Sequence, residues 1–124
     1  MYCKRLIDNY LSEWASRDTH KPVLLRGARQ VGKSTAVKEL SKKFDSFVEI
    51  NFEKQPKYKI LFDDDLDVKR IVPQISAIYG TSIKPGQTLL FLDEIQECPR
   101  AIMALRFFKE DMPELHVIAA GSLL

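Results

Sequence analysis

The sequence is short of the residues from which several kinds of protein are built. It has two cysteines, Cys3 and Cys98, near opposite ends of the chain. They give neither a disulfide framework nor a metal-ligand spacing. Its two histidines, His20 and His116, have no ligand partners at useful spacing and read as ordinary surface or core residues. No apolar run approaches the ~20 residues that span a bilayer. Residues 1–10 contain no apolar signal core. An excess of one charge is missing too: 19 Lys and Arg against 17 Asp and Glu leave a net charge of +2. That balance makes no electrostatic case for nucleic acid or membrane as the main partner. Tyr2, Tyr58 and Tyr79 are scattered and form no stacking platform for bases. There is no internal repeat and no low-complexity tract. The expectation is a soluble, cytoplasmic protein with reduced thiols.

What is present is ordinary globular material. The 124 residues are 45% hydrophobic and 29% charged, enough for one domain with one modest core. The spacing of Leu6, Ile7, Tyr10, Leu11 and Trp14 predicts a helix over 4–14. A polar linker, 16–22, follows. Residues 23–26 read as a short apolar strand, and 33–44 as a helix with Ala36, Val37, Leu40 and Phe44 on one side. A second strand is expected over 46–52 and a short helix over 56–62. Residues 67–79 have helical periodicity with Pro73 inside, which predicts one kinked helix or two short ones. Pro85-Gly86 marks a turn. The continuous apolar run over 88–93 suits a strand buried on both faces. An amphipathic helix over 99–112 starts at Pro99, and a fourth strand covers 115–120. Strands alternate with helices, so the expected fold is α/β, a mostly parallel sheet with helices on both faces. A chain that stops directly after a buried strand suggests a piece of a longer protein.

Two motifs carry chemistry. Residues 27–34 spell G-A-R-Q-V-G-K-S, which fits G-x-x-x-x-G-K-[ST] between an expected strand and an expected helix. Gly27 and Gly32 allow a tight turn and close approach to phosphate oxygens. The amides of Ala28, Arg29, Gln30 and Val31 and the following helix N-terminus suit an anion. Lys33 places a point charge between β- and γ-phosphates, and the Ser34 hydroxyl can ligate Mg²⁺. Thr35 is placed to contact the α-phosphate. The second motif is Leu89-Leu90-Phe91-Leu92-Asp93-Glu94, an apolar strand ending in two carboxylates. Asp93 is placed to hold a Mg²⁺-bound water, and Glu94 to polarise an attacking water. In an open α/β sheet, ligands bind beyond the carboxyl ends of the strands, where both motifs fall. The acidic run at 63–65 has no apolar strand before it and reads as a solvated face or helix cap.

Together these residues resemble the N-terminal part of prokaryotic AAA-type ATPases of the P-loop class with an additional catalytic glutamate. The resemblance also rests on the leading helix ending in Trp14, on Asn51-Phe52-Glu53 after the second strand, on Phe91-Leu92-Asp93-Glu94-Ile95-Gln96, and on 118–124. It implies that Lys33 and Ser34 are the Walker A residues, and Asp93 and Glu94 the Walker B pair. Ser122 would take the sensor position that reads the γ-phosphate. It implies a three-layer P-loop fold with sheet order 2-3-4-1, lacking a fifth strand beyond the first. On that reading 1–20 is an N-terminal helix and linker, and 21–124 the P-loop core of an AAA-type ATPase cut short at its C-terminus. On this reading the region that usually carries a trans-acting arginine and the helical lid is lacking.

The leading function is then Mg²⁺-dependent ATP binding and hydrolysis coupled to a conformational change. A nucleotide-binding regulatory switch with little turnover is the alternative. A small-molecule kinase is a third class, disfavoured because Glu94 stands beside the Mg²⁺ aspartate and no Arg-rich lid is visible. The absence of an Asn-Lys-x-Asp-like motif for guanine favours ATP. Arg29 is a candidate to touch phosphate or a neighbour, Arg100 and Arg106 are candidates to serve a neighbouring subunit of a homo-oligomer, and Gln96 is a candidate to orient water.

Overall fold

A computed structural model describes residues 4–17, 21–26 and 33–121. Among the described residues, ten elements follow the alternation read from the sequence. They are α1 (Lys4–Ala15), β1 (Val23–Arg26), α2 (Lys33–Ser41), β2 (Ser46–Asn51), a 3₁₀ helix (Pro56–Phe62), α3 (Val68–Tyr79), β3 (Thr88–Asp93), a 3₁₀ turn (Ile95–Glu97), α4 (Pro99–Asp111) and β4 (His116–Gly121). The four strands form one sheet in the order β1-β4-β3-β2, which is the expected order read from its other edge. Every pairing is parallel: Val23 lies opposite Ile118, Leu89 opposite His116, and Ser46 opposite Thr88.

Side chains alternate across a strand with a period of two, and this divides the core into two layers. Leu90 and Leu92 of β3, Val48 and Ile50 of β2, and Val117 and Ala119 of β4 pack against α3, α4 and the 3₁₀ helix. Leu89, Phe91, Ile118 and Ala120 point the other way, onto Leu11 and Trp14 of α1 and Ala36, Val37 and Leu40 of α2. The central strands β3 and β4 are covered on both faces. This explains why they read as unbroken apolar runs rather than as alternating ones.

Element ends differ from the periodicity in instructive ways. Helix α2 stops at Ser41, three residues before the apolar stripe ends. The amides of Lys42, Lys43 and Phe44 bond three residues back, to Glu39, Leu40 and Ser41, so the chain tightens into turns that still bring Phe44 to the core. Helix α3 is a single helix despite Pro73. Proline removes only the bond to the carbonyl of Lys69, an exposed residue of the first turn. The acidic run at 63–65 leads into the cap of α3. Asp67 caps α3 by accepting from the Lys69 amide at 3.1 Å. Asp65 accepts from the Asp67 amide and pairs with Arg70 at 2.8 Å.

The sheet's N-terminal end is tied to α1. Trp14 Nε1–H donates to the Lys21 carbonyl at 2.7 Å, and buried His116 donates from Nε2 to the Ala15 carbonyl at 2.9 Å. The imidazole lies edge-on between the rings of Trp14 and Phe44, with centroids 5.0 and 4.8 Å away. His116 is thus a core histidine, as expected. No helix among the described residues is long and apolar enough to cross a membrane.

Candidate functional site

Because all four strands run in parallel, their carboxyl ends lie together. Asp93, the last residue of β3, sits opposite Asn51, the last residue of β2, and the Phe52 amide donates to the Asp93 carbonyl at 3.1 Å. Arg26 and Gly121 close β1 and β4 at the same level. Helix α2 starts over this end, and Ser34 in its first turn brings Oγ to 3.5 Å from Asp93 Oδ2. Two oxygen groups 59 residues apart in sequence therefore meet where the N-terminus of a helix presents its positive end.

The 3.5 Å separation is long for a hydroxyl–carboxylate hydrogen bond. Among the described residues, no three His, Cys, Asp or Glu side chains gather into a cage. A single hydroxyl and a single carboxylate form the donor set that suits Mg²⁺, a hard ion that keeps waters and takes phosphate oxygens as its other ligands.

Asp93 is held from its other oxygen. Oδ1 accepts the amide of Glu94 at 2.9 Å. Glu94 itself adopts φ 51° and ψ 48°, a left-handed conformation that a residue with a side chain enters at a penalty of about 1–3 kcal/mol. Among the described non-glycine residues it is the only one with positive φ. The reversal ends the strand and starts the 3₁₀ turn, closed by bonds from the Glu97 amide to the Glu94 carbonyl and from the Cys98 amide to Ile95. It drops Ile95 into the core and leaves the Glu94 side chain 9% exposed, accepting on Oε1 from Gln96 Nε2 at 2.9 Å.

Asn51-Phe52-Glu53 closes β2 beside this pair. The Asn51 carboxamide oxygen accepts the amides of Glu53 and Lys54, both at 3.0 Å, and Phe52 is fully buried. Lys38, Glu49, Asn51, Lys54 and Gln55 line an open cavity of about 400 Å³ next to it. A second cavity, of about 530 Å³, includes Trp14, Lys21, Pro22 and Pro113 in its lining. It lies at the opposite end of the strands, remote from Asp93.

The structure thus brings Ser34, Asp93 and Glu94 together. Residues 27–32 and Ser122 lie outside the described residues, as do Cys3 and His20; for Lys33 the backbone, opening α2, is described. Thr35 is exposed in the first turn of α2. The arginines after the acidic pair are engaged within the chain. Arg100 donates from Nε to the Phe62 carbonyl at 2.6 Å, holding the end of the 3₁₀ helix, and exposed Arg106 pairs with Glu110. Cys98 is buried at the start of α4, and burial pushes its thiol pKa up.

A family described as "AAA domain" matches residues 19–124. The chain belongs to this family. Among curated proteins, none matches its sequence. Among solved structures, the P-loop NTPase domain of the sigma-54 transport activator from E. coli is similar at 13% identity, with a TM-score of 0.48 over 94% of this chain and 84% of that one. This AAA domain has an α/β architecture with a wholly parallel four-stranded sheet. Membership in a nucleotide-binding and nucleotide-hydrolysing class accords with its site at the carboxyl ends of the strands.

Proposed function

We propose that this AAA domain binds ATP with Mg²⁺ and hydrolyses the β–γ phosphoanhydride bond, coupling turnover to a conformational change. The observation that carries the reading is the meeting of Ser34 Oγ and Asp93 Oδ2 at 3.5 Å, with the strained, buried Glu94 next to them. The loop 27–32 and the first amides of α2 receive the phosphates. Lys33 neutralises the β- and γ-phosphate oxygens, and Thr35 contacts the α-phosphate. Ser34 and Asp93 hold Mg²⁺, which supplies neutralisation of the phosphate charge. Glu94 orients the attacking water and accepts its proton as the oxygen–phosphorus bond forms and ADP leaves. Ser122, one residue beyond β4, contacts the γ-phosphate. Glutamate at the end of β3 favours hydrolysis over transfer to a small acceptor, which needs no water-activating carboxylate.

Titration calorimetry and a phosphate-release assay test this assignment. Lys33→Ala weakens ATP binding by at least about tenfold, about 1.4 kcal/mol. Glu94→Gln retains ATP binding and loses turnover, because the amide keeps the shape but takes no proton. Equal ATP affinity in Lys33→Ala and wild type refutes the phosphate-loop assignment. Wild-type turnover in Glu94→Gln refutes the role of the glutamate.

A further inference from the structure

We infer that Gln96 is the positioning residue for Glu94. This rests on the proposed hydrolysis and identifies what aims its carboxylate. The amide of Gln96 can face a carboxylate only through Nε2, because an ionised carboxylate accepts and does not donate. The 2.9 Å contact to Glu94 Oε1 therefore fixes which way the amide is turned. Among the described residues its other half meets no group: Gln96 Oε1 is buried and has no hydrogen-bond partner. A carboxamide kept for stability would have both ends satisfied, since a buried acceptor left unpaired is a net loss. Gln96 has one end satisfied, and that end holds the glutamate.

The platform beneath the amide is rigid. Gln96 occupies the middle of the 3₁₀ turn Ile95–Glu97, locked by two backbone bonds and anchored by the buried side chains of Ile95 and Cys98. Pro99 begins α4 directly afterwards. The turn exists because Glu94 takes the left-handed conformation. One local motif thus both strains the glutamate backbone and clamps its side chain. The nearby Asn51 carboxamide has its oxygen engaged by the amides of Glu53 and Lys54. A donor two residues along the same turn is a shorter and stiffer tether than one from a neighbouring strand.

The test measures kcat, the dissociation constant for Mg-ATP and the thermal midpoint in wild type, Gln96→Ala, the near-isosteric Gln96→Met, and Glu94→Gln. Gln96→Ala lowers kcat about ten- to a hundredfold, the effect of losing one hydrogen bond to a charged acceptor. ATP affinity stays within about twofold, because the residue is not placed on the nucleotide. The thermal midpoint changes little, because the bond lost to Glu94 Oε1 is offset by removal of the unpaired Gln96 oxygen. Gln96→Met keeps the size but loses the donor without adding a charge, and shows the same loss of kcat. Retained kcat in Gln96→Ala or Gln96→Met, with turnover abolished by Glu94→Gln, overturns the inference and leaves the hydrolytic reading intact. A loss of kcat that tracks a fall in thermal midpoint in both Gln96 variants also overturns it, in favour of a structural role. Wild-type turnover in Glu94→Gln, or no ATP hydrolysis by the wild-type protein, overturns the hydrolytic reading and this inference with it.

Discussion

Replacing Asp93 by asparagine separates the ion-binding role of the site from its role in the fold. The substitution keeps the size of the side chain and leaves the β3 backbone intact, including the Asp93 carbonyl that accepts from Phe52. It removes the charge on Oδ2, 3.5 Å from Ser34 Oγ, and weakens the acceptor for the Glu94 amide. The expected loss is at least about tenfold in affinity for Mg-ATP, about 1.4 kcal/mol. This converts into a temperature. At about 2.1 cal/mol/K per residue, the 124-residue chain unfolds with an entropy of about 260 cal/mol/K, so 1 kcal/mol moves the midpoint by about 4 °C. Ligand at a hundred times its dissociation constant stabilises by about 2.7 kcal/mol, raising the wild-type midpoint by about 10 °C. At the same concentration the variant binds at about ten times its own dissociation constant. It gains about 1.4 kcal/mol, or about 5 °C.

The assay is thermal unfolding by calorimetry, each protein compared with its own ligand-free midpoint. It is run with ATP in excess Mg²⁺ and again with ATP and EDTA. Comparison with the variant's own baseline removes any loss from the weakened bond to the Glu94 amide. Wild type should lose most of its shift when EDTA replaces Mg²⁺, and the variant should show about half the wild-type shift in Mg²⁺. Equal Mg²⁺-dependent shifts in the two proteins refute the placement of the ion between Ser34 and Asp93.

Two further outcomes test the scaffold. Phe91 is fully buried in the middle of β3 and stacks on Phe47 with centroids 6.3 Å apart, so Phe91→Ala should destabilise by about 3–5 kcal/mol, read by urea denaturation. Asp65 is exposed, and its pKa is lowered, first by the hydrogen bond from Arg70 and then by the one from the Asp67 amide. A carboxylate with a depressed folded-state pKa stabilises above its unfolded value of about 3.9, and that contribution is lost as pH falls through the folded value. Asp65→Asn should therefore flatten the stability profile below about pH 4 and leave a constant offset at neutral pH. Denaturation midpoints that decline with acid as steeply as in wild type would contradict this.

How much of this was legible in the sequence depends on the length scale of the interaction. The run Thr88–Asp93 is readable as a buried strand because both faces of β3 are covered, and six consecutive buried or half-buried positions leave no room for alternation. The acidic pair at its end is readable because parallel topology puts every strand's carboxyl end on one side. The meeting of Ser34 with Asp93 follows from the same logic, across 59 residues. The left-handed turn at Glu94 is another matter. Glutamate carries no propensity for positive φ, and a Gly or Asn there would have announced the turn. The residue type reflects chemistry, and packing of Ile95 and the start of α4 impose the conformation.

The same distinction explains the arginines. By position after the acidic pair, Arg100 is a candidate to serve a neighbouring subunit. In the fold its Nε–H is bonded to the carbonyl of Phe62, 38 residues earlier. That bond ties α4, which begins just after the Glu94 turn, to the 3₁₀ helix that begins just after the Asn51 turn. The segments leaving β3 and β2 at the site are thereby joined next to Phe62, which packs edge-on against buried Phe52 at 5.8 Å. A backbone carbonyl gives no sequence signal, so this brace could not be read in advance. It nevertheless fixes the geometry in which Asp93 and Glu94 are held. The site is therefore specified at two levels: by side chains that a motif names, and by a frame of backbone turns, one ring pair and one arginine bond that only the fold assembles.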